Sequence, residues 1–194
     1  LWAQSDKETL FPLIDKIGQT PLTPASRNAL IFALTQDSTG FEIKEEETSL
    51  FLIKRLKALE RMGAFQEALD LIELVPSQNL TQDLLLLKTN LLLAKGDFET
   101  AQKVIEDLSP SKKTDEAQIN LFLETEEKNK AVLSYEIYRE NQENSDTLFS
   151  ALAENVLLEL ETKIKKEEPF ELSHAFLLAR LKNVDINEKK LTEG

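Results

Sequence analysis

The sequence predicts an all-α fold, a right-handed α-solenoid of stacked antiparallel helical hairpins. Three observations predict it. First, Arg61-Met62-Gly63-Ala64-Phe65-Gln66-Glu67-Ala68 is answered 33 residues later by Ala94-Lys95-Gly96-Asp97-Phe98-Glu99-Thr100-Ala101. Ile72 likewise answers Ile105, and a prolyl stop follows each segment, at Pro76 and Pro110. Second, the expected starts of the first helix of each hairpin fall near residues 48, 81, 114 and 146, spaced by 33, 33 and 32. A period in the low thirties with helical patterning marks hairpins that must stack, because one hairpin cannot bury its apolar face alone. Third, five glycines and six prolines in 194 residues are too few for an all-β chain or for low-complexity disorder.

Ten helices in five hairpins follow from the local signals. Ser5-Asp6-Lys7-Glu8 has capping-box spacing and starts the first, with Pro12 early inside it. Thr23-Pro24 opens the second, Thr as cap and Pro at the first helical position, and it runs to Thr35. A polar loop spans residues 36–46, with Glu45-Glu46-Glu47 ahead of a third helix over 48–62. Gly63 ends that helix by accepting a left-handed turn. The fourth helix runs from Phe65 to Leu74. Thr81 caps the fifth, which stops at Gly96, and Asp97 caps the sixth, which stops before Pro110. Thr114, followed by Asp115 and Glu116, starts the seventh, the two acids suiting the positive helix end. The eighth covers 129–141. Ser145-Asp146 starts the ninth, which ends near Lys163, and the tenth runs from Pro169 to Lys182. The divisions expected are an N-terminal helical pair over 1–40, a repeat array with a C-terminal capping helix over 41–186, and a polar tail over 187–194.

The bulk numbers exclude several function classes. The net charge is -12 and the isoelectric point is near 4.7. Nucleic-acid binding needs clustered Lys and Arg, so a polyanionic partner is not expected. The chain has no cysteine, which excludes thiolate zinc sites, disulfides and thiol nucleophiles. No run of 18 apolar residues exists, so no direct membrane insertion is expected. There is no Gly-rich phosphate loop, His-Glu-x-x-His motif or nucleophile elbow. No catalytic residue, cofactor or metal is expected. The chain begins Leu1-Trp2 rather than with Met, which reads as a processed form or a segment of something longer. With the absence of Cys this fits a protein of the bacterial envelope or periplasm, although the same sequence suits a trimmed cytoplasmic chain.

The repeated segments resemble the tetratricopeptide repeat. That family places a turn glycine after the first helix, an aromatic two residues on, and a small residue three after that. Gly63, Phe65, Ala68 and then Gly96, Phe98, Ala101 stand at these positions. Leu56 and Thr89 depart from the small residue expected within the first helix, and the prolines arrive three or four residues early. In the third hairpin Glu126 replaces the turn glycine, and Ala131 aligns with Ala101 at a spacing of 30. The resemblance covers 48–110 closely and 111–163 loosely. The chain is also similar to uncharacterised alphaproteobacterial helical-repeat proteins, which implies no activity.

The resemblance implies that first helices line a concave face. Leu50, Ile53, Lys57, Asp83, Leu86, Asn90 and Leu93 would then form a mostly apolar groove for an amphipathic helix or extended peptide. Lys57 and Asn90 hold positions where some family members clamp a peptide carboxylate, but Leu86 and Leu87 stand where other clamp residues would be. The competing reading is that the fifth helix is core, because Leu84 to Leu87 and Leu91 to Leu93 make it apolar nearly all round. His174, the sole histidine, shares a helical face with Phe170, Leu177 and Leu181 and reads as a half-buried side chain with one local hydrogen bond. Glu171 is expected on a different face. Tyr135 and Tyr138 are expected to pack on the next hairpin. The acidic runs at 45–47 and 124–127 read as solvated. The function expected is a non-catalytic protein-interaction scaffold, adaptor or assembly factor. The alternatives are an architectural helical module of a larger envelope enzyme and a module that associates with its own copies.

Overall fold

A computed structural model describes residues 6–36, 45–141, 147–159 and 171–181. Among these residues the chain is all-helical, with ten α-helices and one short 3-10 turn. The helices are α1 (Lys7–Lys16), α2 (Pro24–Thr35), α3 (Glu45–Arg61), α4 (Phe65–Glu73), α5 (Gln82–Lys95), α6 (Phe98–Glu106), α7 (Lys112–Glu124), α8 (Lys128–Glu140), α9 (Leu148–Leu158) and α10 (Leu172–Arg180). Two compact units divide between Leu84 and Leu85, inside the first turn of α5. The boundary expected near residue 40 lies outside the described residues.

Three helix starts follow from the expected caps. Thr23 accepts from the Ser26 amide, Thr81 from Leu84 and Asp97 from Thr100. Four starts differ. Asp6 rather than Ser5 caps α1, accepting from the Thr9 amide at 3.1 Å. α3 begins at Glu45, so the acidic run forms its first turn instead of preceding it. Ser111 caps α7 three residues early, because its hydroxyl reaches the Thr114 amide at 3.2 Å. Thr114 instead donates to the Ser109 carbonyl. Thr147 caps α9 through the Ser150 amide, and Ser145 and Asp146 lie outside the described residues. The observed starts are therefore less evenly spaced than the sequence suggested.

A more regular feature lies at the other helix ends. All five described residues with positive φ, Gly18, Gly63, Gly96, Glu126 and Glu159, stand one or two residues past the ends of the odd-numbered helices. The last four are spaced by 33, 30 and 33 residues. A left-handed residue lets the final carbonyls find partners as the chain reverses. At Gly63 the next amide, that of Ala64, donates back to the Leu59 carbonyl at 2.9 Å. The same bond recurs from Asp97 to Leu92 and from Glu127 to Phe122. α9 thus stops at Glu159, short of the expected Lys163. Five residues after three of these turns stand Ala68, Ala101 and Ala131, each with no exposed surface. A methyl there lets two helices approach closely.

In the N-terminal unit α3 packs on α1, α2 and α4. Leu56, Ala58 and Leu59 are buried, and Phe51 stacks on Phe11 at 5.8 Å. Three arginines then donate to backbone carbonyls at helix ends, where intrahelical donors run out. Arg61 donates to the Ile17 and Ile14 carbonyls at the end of α1. Arg55, only 4% exposed, donates to Leu34 and Gln36 at the end of α2. Arg27 on α2 returns the pattern to Met62, just past α3.

In the C-terminal unit α7 packs on α6, α8 and α10, and α9 on α8 and α10. Its core gathers Ile119, Leu123, Tyr135, Tyr138, Phe149, Leu152 and Leu177. Helix α5, which the division crosses, is buried nearly all round, at Leu84, Leu87, Thr89, Leu91, Leu92 and Leu93, as its continuous apolar run suggested.

Candidate interaction face

The expected groove residues fall in both units, and each set stands by itself. On α3, Leu50 is 47% exposed, Ile53 is half-buried and Lys57 is exposed. Their spacing of three and four residues puts them along one side of the helix. Asp83, at the start of α5, is exposed. On the rest of α5, Leu86 and Asn90 are half-buried, and Leu93 is buried at 3%. Leu93 is therefore a core side chain and not part of an open face, because α5 carries leucines on all sides. The Asn90 carboxamide oxygen is buried without a hydrogen bond, so it is turned inward.

The other singled-out residues are structural in their contacts. Tyr135 and Tyr138 are fully buried and pack on the next hairpin, as expected. Tyr138 meets the edge of Phe149 at 5.5 Å, and Tyr135 donates to the Ser150 carbonyl at 3.3 Å. Burial pushes the Tyr135 phenol up to about 12, and the Glu154 carboxylate adds to the effect. In the acidic run, Glu124 is half-buried against Arg180 at 3.2 Å, a departure from the solvated reading. Glu127 pairs with Lys130, whose hydrogen bond holds its carboxyl below the usual range. The side chains of Glu45 to Glu47 lie outside the description.

Glu171 departs from expectation. It is the N-cap of α10, not a helical residue, so it turns back toward His174 instead of occupying another face. Its backbone N–H donates to His174 Nδ1 at 3.0 Å, and its carboxylate accepts from Lys113 on α7. His174 is only 4% exposed.

Sequence reasoning missed a cleft of about 660 Å³ in the C-terminal unit. Leu123, Val156 and Leu181 form its apolar part, and Glu126, Lys128 and Glu159 stand around it. Lys128 and Glu159 pair at 3.6 Å. The one signal available was Glu126 at a position where a turn glycine was due. Among the described residues no group of three or more His, Asp or Glu side chains could hold a metal ion. No helix among them is long and apolar enough to cross a membrane. No family model matches the chain, and neither a curated protein sequence nor a solved structure matches it.

Proposed function

We propose that this chain is a non-catalytic protein-interaction module, built of tetratricopeptide-like hairpins in a right-handed solenoid, that recruits a protein or peptide partner. The observation that carries the reading is the α3 face. Leu50 leaves nearly half its surface in water next to the buried Phe51, with Ile53 and Lys57 on the same side of the helix. Apolar residues at three- and four-residue spacing, flanked by a cation, suit an amphipathic helix or an extended segment. The recurrence of left-handed turns and buried alanines at matched spacing supports the repeat reading. The net charge of -12 favours a partner segment with basic residues.

The test is a pull-down from native extract with wild type and Leu50→Glu, with circular dichroism on both. Because Leu50 is exposed, the variant should stay helical. Loss of one specific protein from the folded variant is the expected result. An unchanged capture profile from a folded Leu50→Glu protein would remove α3 from the binding surface.

A further inference from the structure

Helix α2 carries more apolar surface than its own unit uses. Seven of its 12 residues are apolar, yet Leu34 alone is buried. Leu34 and Arg27 lie on the inward side of a helix that packs on α3 and α4, and Arg27 donates to the Met62 carbonyl at 2.9 Å. The opposite side carries Ala25, Asn28, Ala29 and Phe32, all exposed, Phe32 by 64%. Their spacing of three and four residues makes them one stripe. The same stretch is short of charge. From Ile17 to Gln36 there is no Asp or Glu, and Arg27 is its one charged residue. No other acid-free run is as long, in a chain with 35 Asp and Glu.

We propose that the outer stripe of α2 is the contact through which two copies of this chain pair about a two-fold axis. Charge is the first argument for a second copy as the occupant. Each copy carries -12, so most ways of bringing two surfaces together set carboxylates against carboxylates. The α2 stripe is apolar and holds no acid, so contact there avoids that penalty at close range. The proposal does not rest on the recruitment reading, which uses Leu50 on α3.

Shape is the second argument. A two-fold interface sets one patch against itself, so the patch must be its own complement. The stripe has a large residue at one end, Phe32, and a small one at the other, Ala25. With two α2 helices antiparallel and Asn28 and Ala29 at the axis, Phe32 of each copy lies over Ala25 of the other. The ring then fills the space that the small side chain leaves. The two Asn28 carboxamides meet at the axis, where each has both a donor and an acceptor to offer. The stripe is about 18 Å long and about 10 Å across. A standard interface buries ~800 Å² on each side, so the pairing is weak and depends on concentration.

The experiment is analytical sedimentation of the whole chain from about 5 µM to about 500 µM, in about 20 mM and about 500 mM salt. The average mass should climb from 22.0 kDa toward twice that value. The climb should come at a several-fold lower concentration in high salt, because screening removes the repulsion between copies and spares the apolar contact. Phe32→Glu should stay single at every concentration, with an unchanged circular dichroism spectrum because the ring is exposed. Ala25→Lys should stay single too. An equimolar mixture of the two variants should recover pairing, since the introduced carboxylate then meets the introduced ammonium. Leu50→Glu should pair as the wild type does, which keeps this test separate from that of the α3 face. A wild type that stays at 22.0 kDa throughout would overturn the proposal. If Phe32→Glu then melts lower, a segment of the same chain covers the stripe instead. Pairing that weakens with salt, or that survives both α2 substitutions, would overturn it equally. Should Phe32→Glu not fold, Ala25→Lys decides alone.

Discussion

At the residue scale, the left-handed turn positions make the sharpest tests. Gly18 has φ +79°, and a Cβ built there would lie 2.8 Å from the Arg61 Cβ. Gly63 has φ +67° with nothing within 4 Å of an added Cβ. Gly63→Ala should therefore lose only the conformational preference, about 1 kcal/mol, and Gly18→Ala should lose more because the neighbour must also move. Glu126→Gly should gain up to about 1 kcal/mol by the same rule. Denaturant melts of the three variants would check the order. Glu116 offers a test of opposite character. Its carboxyl is raised chiefly by burial, against the pull of Lys113 and Lys112. A group raised on folding favours the folded state below its unfolded value, about 4.3, and that support is lost as pH rises through the folded value. Glu116→Gln should thus raise the melting temperature at neutral pH and leave it little changed in acid. A neutral-pH melt no higher than wild type would contradict that sign.

At the element scale, the helices of this chain were largely legible and their tertiary locks were not. Thr23-Pro24, Gly63, Asp97 and Gly96 are local signals, and each stands where such residues end or begin a helix. Ser111 caps α7 in place of the expected Thr114, because both residue types can cap and only the fold shows which hydroxyl reaches an amide. Leu50, Ile53 and Lys57 were legible as one side of α3, but on α5 Leu93 is core, since helical spacing cannot say which side of an all-apolar helix meets a neighbour. The arginines were invisible for another reason. Arg55 reaches back 21 residues to the end of α2, and Arg61 reaches back 44 to the end of α1. Charged donors on otherwise orphaned carbonyls are worth about 1.5–3 kcal/mol each. Arg55→Ala should cost at least that, because its removal leaves the Leu34 carbonyl unpaired in a buried setting. Lys cannot reproduce the planar fork, so Arg55→Lys should recover only part of the loss in a urea titration.

At the scale of the whole molecule, net charge is a collective term that works against folding. A net charge of -12 on 194 residues opposes compaction. The described ion pairs are mostly exposed or half-exposed, such as Lys103 with Glu99 and Lys128 with Glu159. Pairs of that kind contribute only about 0–1 kcal/mol. Self-repulsion should therefore outweigh them, and raising salt from about 20 mM to about 500 mM should raise the melting temperature. A fall in melting temperature with salt would mean that the ion pairs govern stability. The all-α class was legible from composition and period, because both are properties of the chain as a whole. The cleft beside Glu126 was not, since it is lined from three well-separated stretches of sequence.

The left-handed joints at Gly63 and Gly96 have a bearing on the history of such a chain. Both residues reverse the backbone in the same sense, and the stretch from one to the other is a full helix pair. Excising residues 64–96, or copying them in tandem, would reconnect one joint to an equivalent one with no new dihedral angle demanded. Unequal recombination between the two joints would shorten or extend the protein by a whole helix pair.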